Sequence, residues 1–111
     1  MKLGVFNPLF GHMEFEEMLD YVKESGLEAV EIGTGGYPGN KHCNVDELLE
    51  SEDERTKYLK AFESRGLIIS AFSCHGNPLT PDQEFAAESD EALRKSIKLA
   101  SLMGVPVVNA F

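Results

Sequence analysis

Apolar and polar positions along this chain form a pattern that returns three times. A short apolar run follows Gly26, Gly66 and Gly104, and the segment before each glycine has the apolar spacing of a helix. A glycine in this position is typical of the residue that ends a helix, and the run after it is typical of a buried strand. The pattern therefore predicts a series of helix–strand units.

Each predicted helix has an apolar face with the i, i+3, i+4 spacing of an amphipathic helix. The face before Gly26 consists of Phe15, Met18, Leu19 and Val22. The face before Gly66 consists of Tyr58, Leu59 and Phe62, and the face before Gly104 of Leu93, Ile97 and Ala100. Residue pairs typical of helix starts precede the second and third of these faces. They are Asn44 with Glu47, Ser51 with Glu54, and Thr80 with Pro81.

Four strands are predicted, β1 at 2–6, β2 at 28–32, β3 at 67–73 and β4 at 106–110. They are nearly continuous apolar runs, which favours a parallel sheet covered by helices. An open doubly wound sheet and a closed barrel both fit this pattern. We expect the barrel, because no helix follows β4 and eight units of roughly 38 residues would give about 300, a usual size for a TIM (β/α)8 barrel. Residues 1–111 would then be its first half, β1 to β4.

Composition and charge narrow the class of protein. Apolar residues make up 42% of the chain and charged residues 26%, which is ordinary for a globular protein. The formal charge of −9 argues against nucleic acid as a partner. We expect no membrane segment, since no apolar run approaches about 18 residues. With no signal sequence at the start and two cysteines that we expect to be free thiols, a cytoplasmic location is predicted.

The sequence resembles the xylose isomerase-like TIM barrel superfamily, in particular its sugar phosphate isomerase/epimerase branch. The resemblance extends over nearly the whole chain, and its most specific part is the His-Gly-Asn-Pro-Leu segment after β3. The segments that carry it are Lys2 to Phe6, Gly26 to Ile32, Ser70 to Leu79, Glu91 to Ala100 and Leu102 to Val108.

This resemblance implies a metal-dependent isomerase or epimerase of a sugar, sugar phosphate or related polyhydroxy compound, which moves a proton through an enediolate. It also implies a divalent metal (Mn, Mg, Co or Zn) held by two Glu, one Asp and one His in the second half of the barrel. We therefore expect no catalytic residue and no metal ligand within this chain, which alone would be inactive. We further expect a small carbohydrate substrate and a homo-oligomer.

Functional groups in a barrel lie at the carboxyl ends of the strands and in the loops that follow. This rule selects six residues as candidates for substrate binding, namely His75, Glu31, Asn7, Phe10, Asn77 and Asn109. His75 is the strongest, because an imidazole at the mouth of a barrel can bind a substrate hydroxyl.

Structural roles compete with the substrate-binding role at most of these positions. His75 could order its own loop, and Asn77 precedes a proline, as is typical of a turn. Glu31 could form a structural ion pair, since a carboxylate within an apolar strand needs a partner. Phe10 could belong to the core, and His12 is expected to be exposed.

Two other patterns are weaker. The glycine-rich segment 33–40 lacks the following helix that a phosphate-binding loop requires, so a mobile loop is expected. His42, Cys43, Cys74 and His75 could in principle hold zinc, but neither pair has the usual ligand spacing. Two functional alternatives to the isomerase stay open: a metal-dependent hydrolase of the endonuclease branch, and a non-catalytic flavodoxin-like binding module.

Overall fold

A computed structural model describes residues 1–110 of the protein. Phe111, the last residue of the third repeat, lies outside the described residues. The elements follow one another along the chain as β1 (Gly4–Phe6), a 3-10 helix (Asn7–Phe10), α1 (Phe15–Glu24), β2 (Ala29–Gly36), α2 (Val45–Glu50), α3 (Glu52–Glu63), β3 (Ile68–His75), α4 (Gln83–Met103) and β4 (Val108–Asn109).

The four strands form one parallel sheet in the order β1-β2-β3-β4. Connections between neighbouring parallel strands are nearly always right-handed, so consecutive strands in this order place their helices on one face. A doubly wound sheet instead reverses its strand order at a switch point. The observed order contains no reversal, which confirms the prediction of part of a TIM barrel and speaks against a flavodoxin-like sheet.

The core lies between this sheet and the helices. Val30, Ile32 and Phe72 of the sheet are completely buried. They meet the fully or almost fully buried helix residues Met18, Leu19, Val22, Phe62 and Leu99. The predicted apolar faces of the helices before Gly26 and Gly66 are therefore confirmed.

The predicted face of α4 is only partly correct. Ala100 is buried, but Ile97 is 51% exposed, and the buried face includes Ser89 and Ser96 instead. Ser96 Oγ lies 2.7 Å from Thr34 Oγ1 and donates to the Ala92 carbonyl oxygen, so its polar group is satisfied within the core. A count of apolar positions overlooks a serine that is buried in this way.

The helix starts follow their predicted caps except at α4. The side chains of Asn44 and Ser51 accept hydrogen bonds from the backbone N–H groups three residues later, as predicted. The prediction of Thr80 with Pro81 at the start of α4 is wrong. Asp82 is the N-cap, and its carboxylate accepts from Phe85 N at 3.2 Å, because a carboxylate next to the first turn satisfies an otherwise unpaired N–H group.

The three glycines of the repeat end their helices as predicted. Gly26, Gly66 and Gly104 have φ values of 80°, 68° and 71°, a conformation that favours glycine. The residue after each glycine donates its N–H to a carbonyl oxygen five residues back, as Leu27 does to Val22. This is the hydrogen bond of a Schellman motif, so each unit turns from helix to strand in the same way.

Strand lengths differ from the prediction. β1 and β4 are shorter than expected, and Pro106, which has no N–H to donate, lies before β4. β2 is longer, because Gly35 and Gly36 pair with Cys74 and His75 of β3 after an irregularity in the register. Part of the predicted glycine-rich loop is therefore a strand. The prediction that Glu31 lies at the carboxyl end of β2 is wrong for the same reason, since Glu31 is the third of eight residues in this strand.

Candidate functional site

The side chains that point away from the helices define a second face of the sheet. Val5, Phe72 and Val108 pack against the core, and successive residues of a strand point to opposite sides. The residues that follow them therefore point to the side without helices. Here we call the surface formed by Phe6, Glu31, Ser73, His75 and Asn109 the helix-free face.

Glu31 and Ser73 form a hydrogen-bonded pair on this face. Ser73 is completely buried and donates its hydroxyl hydrogen to Glu31 Oε2. Glu31 is half-buried, and no lysine, arginine or histidine among residues 1–110 forms a salt bridge with it. The partner that the carboxylate needs is thus a hydroxyl and not the cation of a structural ion pair.

Ser73 was not among the predicted site residues. It stands two positions before His75, and the period of a strand places such residues on the same face. This spacing was the available signal in the sequence. Ser73 was missed because it lies inside the apolar run of β3.

His75 and Asn109 lie at the carboxyl ends of β3 and β4, as predicted. Both are half-buried, and Asn109 is in register with Ser73. The His75 carbonyl oxygen accepts a hydrogen bond from Tyr37 N at 2.8 Å. Gly36 makes this approach possible, since it has φ of 69° and a Cβ there would collide with the same carbonyl oxygen.

Asn7 and His42 form a buried connection between two loops, which we call the Asn7–His42 clip. Asn7 Oδ1 accepts from Gly33 N at 2.7 Å, and Asn7 Nδ2 lies 2.8 Å from His42 Nδ1. His42 Nε2 lies 2.7 Å from the Met13 carbonyl oxygen. An amide nitrogen only donates and a carbonyl only accepts, so His42 accepts at Nδ1 and donates at Nε2.

The clip gives Asn7 a connecting role at the mouth of the sheet. Asn7 is 4% exposed, and both of its amide heteroatoms bind groups of the protein. A substrate contact through Asn7 stays a prediction. The role of His42 was missed, because nothing in the sequence indicates that a histidine pairs with an asparagine 35 positions earlier.

Phe10 and Asn77 make the structural contacts expected of a core residue and of a turn residue, respectively. The Phe10 ring is buried and lies 5.4 Å from the ring of Tyr21, centre to centre. Asn77 is exposed, and its Oδ1 accepts from Leu79 N at 3.2 Å, which closes a turn. Their contacts with substrate stay predictions. His12 is exposed, as expected.

The glycine-rich segment turns back over the end of β2. Gly39 N donates to the Gly36 carbonyl oxygen at 3.1 Å and closes the turn. A Cβ at Gly33 would lie 2.9 Å from the Gly39 carbonyl oxygen, so the turn packs directly on the strand. Backbone packing therefore requires glycine at position 33.

The two His-Cys pairs do not form a metal site. Within residues 1–110, no three His, Cys, Asp or Glu side chains are grouped so that they could hold a metal ion. Cys43 and Cys74 are free and buried. Burial raises the pKa of Cys43 to about 12, although a hydrogen bond with Tyr58 lowers it in part. Burial also raises the pKa of Cys74, and a hydrogen bond with Ser96 of α4 opposes this rise.

The helices of residues 1–110 include none with the length and apolar character needed to span a membrane.

Comparison with known proteins relates the chain to one curated relative and to barrel enzymes. No model of a known protein family matches it. The uncharacterised protein YfiH of Bacillus subtilis is 37% identical over 108 residues, which are 97% of this chain and 34% of the relative. The chain thus spans about a third of the length of this relative.

Two solved structures are similar to the whole or nearly the whole chain. The probable 3-DHS dehydratase AsbF of Bacillus anthracis, involved in petrobactin synthesis, has a TM-score of 0.68 and 20% identity over 100% of this chain and 38% of its own. D-psicose 3-epimerase, in the presence of D-fructose, has a TM-score of 0.63 and 14% identity over 99% of this chain and 37% of its own. The chain therefore has the fold of part of a TIM barrel, as predicted.

Proposed function

We propose that this chain is the N-terminal half of a longer barrel enzyme that isomerises or epimerises a sugar, a sugar phosphate or a related polyhydroxy compound. One observation carries the proposal. Glu31, Ser73, His75 and Asn109 share the helix-free face, and His75 and Asn109 stand at the carboxyl ends of their strands, where barrels bind their substrates. The named activities of the two structural neighbours, an epimerase and a probable dehydratase, support the same class of substrate.

In this proposal the chain supplies one wall of the substrate pocket. His75 and Asn109 can donate and accept hydrogen bonds, and Glu31 can accept them, so together they suit a ligand with several hydroxyl groups. The Asn7–His42 clip holds the ends of the neighbouring loops in place beside this wall.

Among residues 1–110, no three His, Cys, Asp or Glu side chains are grouped so that they could hold the divalent metal that the resemblance implies. Both ring nitrogens of His42 are engaged by Asn7 and Met13. We propose that the ligands of Mn, Mg, Co or Zn belong to the rest of the enzyme. This chain would then orient the substrate and exclude water from one side of it.

The test is His75→Ala in the full-length protein, assayed for interconversion of ketoses and aldoses with manganese present. Loss of a hydrogen bond to the reacting substrate should lower kcat/KM by about 30-fold to 150-fold. The melting temperature should stay nearly constant, because His75 is not a core residue.

His12→Ala is the matched control, since His12 is an exposed histidine that does not belong to the helix-free face. It should leave kcat/KM unchanged. Unchanged activity of His75→Ala with a lower melting temperature would show that His75 only orders its loop.

A further inference from the structure

We infer that Glu31, oriented by Ser73, accepts hydrogen bonds from the hydroxyl groups of an uncharged polyhydroxy substrate and selects against a phosphorylated one. The inference rests on the proposed function and narrows its substrate class. It assigns Ser73 the role of a positioning residue.

The pair has the hydrogen-bonding character of a hydroxyl acceptor. The single hydroxyl hydrogen of Ser73 is donated to Glu31 Oε2, and Ser73 itself is completely buried. An ionised carboxylate has about four acceptor positions, so one bond from Ser73 fixes its orientation and leaves others available. A carboxylate cannot donate, so the ligand group that binds it must be a donor, as a sugar hydroxyl is.

The position of the carboxylate makes such binding possible. Glu31 is half-buried rather than enclosed, and it points to the face that no described helix covers. Asn109 lies in register with Ser73 on the adjacent strand and is also half-buried. The Asn109 amide, which both donates and accepts, thus lies two strands from the Glu31 carboxylate, which only accepts, so the two can bind different hydroxyl groups of one polyhydroxy ligand.

Charge argues against a phosphate at the same place. The loops that follow β1, β2 and β3 contain one lysine and no arginine, and this lysine, Lys41, donates to the Gly11 carbonyl oxygen. Within the described part of the chain, no cation pairs with Glu31. A phosphate near Glu31 would therefore meet a like charge that no cation among residues 1–110 offsets by pairing with it.

The test compares D-fructose with D-fructose 6-phosphate by calorimetric titration of the full-length protein. The unphosphorylated sugar should bind at least about tenfold more tightly, since the phosphate would be repelled by the like charge of Glu31. Glu31→Gln keeps the size of the side chain and removes its charge. It should weaken D-fructose binding about tenfold and reduce the discrimination against the phosphate.

Ser73→Ala provides a second variant in case Glu31→Gln does not fold. It removes the donor that orients the carboxylate but keeps the charge, so D-fructose binding should weaken while the discrimination against phosphate persists. Glu28→Gln is the matched control, because Glu28 precedes the opposite end of β2 and pairs with Lys2 on the surface. It should change neither affinity.

Tighter binding of D-fructose 6-phosphate by the natural protein would overturn the inference, as would unchanged D-fructose affinity in both variants or no binding of either sugar. Failure of the proposed function is a separate result. Turnover of a sugar phosphate alone would leave the isomerase proposal standing and remove this inference. If the expected binding pattern were found but no sugar were interconverted, the inference would stand and the isomerase proposal would fail.

Discussion

The two faces of the sheet differ although they belong to the same strands. Val30, Ile32 and Phe72 face the helices and are completely buried, whereas Glu31 and Ser73, their immediate neighbours, face the side without helices. Alternation along each strand thus separates a face that stabilises the fold from a face that carries polar groups. Substitutions one residue apart should therefore affect different properties.

The largest expected effect is that of Phe72→Ala on the helix-covered face. Removing a fully buried phenylalanine should lower the free energy of unfolding by about 3–5 kcal/mol. The matched change on the helix-free face is Phe6→Ala, which should cost far less, because Phe6 is 37% exposed. Denaturant unfolding of both variants measures the difference. Equal losses would mean that the two faces do not differ in their contribution to stability.

The second effect concerns the Asn7–His42 clip. Asn7→Ala removes the acceptor of Gly33 N and the donor to His42 Nδ1, and buried groups left unpaired should cost about 2 kcal/mol. The ring nitrogen shifts of His42, measured by NMR, should change as well. Asn77→Ala is the control, since it opens an exposed turn and should stay within about 0.5 kcal/mol. A comparable loss in both variants would contradict a special role of the clip.

The third effect is alkaline destabilisation through Cys43 on the helix-covered side. Its pKa is raised from 9.0 to about 12, so the folded protein keeps a proton that the unfolded chain releases above pH 9. Stability from this group is therefore present below pH 9 and is lost as the pH rises toward 12. The expected slope is about 1.4 kcal/mol per pH unit.

The measurement is the free energy of unfolding between pH 9 and 11 for the natural chain and for Cys43→Ala. The variant should show a shallower slope, although Tyr58, whose pKa burial also raises, contributes in both proteins. Identical slopes would show that Cys43 is not buried as described. Burial on the helix-covered side thus disfavours the charged thiolate of Cys43, whereas the helix-free face holds the carboxylate of Glu31.

The smallest expected effect is weak self-association of the 111-residue chain through its open strands. β1 and β4 are the two edges of the sheet, and Leu3 and Val107 beside them are 64% and 45% exposed. Unpaired apolar edges favour pairing between chains, and light scattering at rising concentration should detect it. Val107→Lys should weaken the association. A concentration-independent monomer would contradict the prediction.

Local signals were enough to predict the architecture. The glycines at the helix ends and the caps at Asn44 and Ser51 act over a few residues, so the sequence alone indicates them. The parallel sheet followed from the continuous apolar runs. The barrel was inferred from the lack of a helix after β4 and from the size of the repeat, and the structure adds the strand order β1-β2-β3-β4.

Features that depend on distant partners could not be predicted in this way. β2 continues through Gly36 because β3 pairs with it, although glycine alone suggests a loop. Ser96 is buried because Thr34, far away in the sequence, lies opposite its hydroxyl. The Asn7–His42 clip depends on the fold as a whole for the same reason. Six site residues were named from their places at strand ends, but the bonds that orient them become visible only in three dimensions.

The repeated helix endings also bear on how the chain can fold as it is synthesised. The hydrogen bonds at Gly26, Gly66 and Gly104 all join residues within one short segment, so each can form as soon as that segment has left the ribosome. At about 5–20 residues per second, successive units would be completed seconds apart. The order in which strands join the sheet can therefore follow the order of translation, with each new strand added beside the one made just before it.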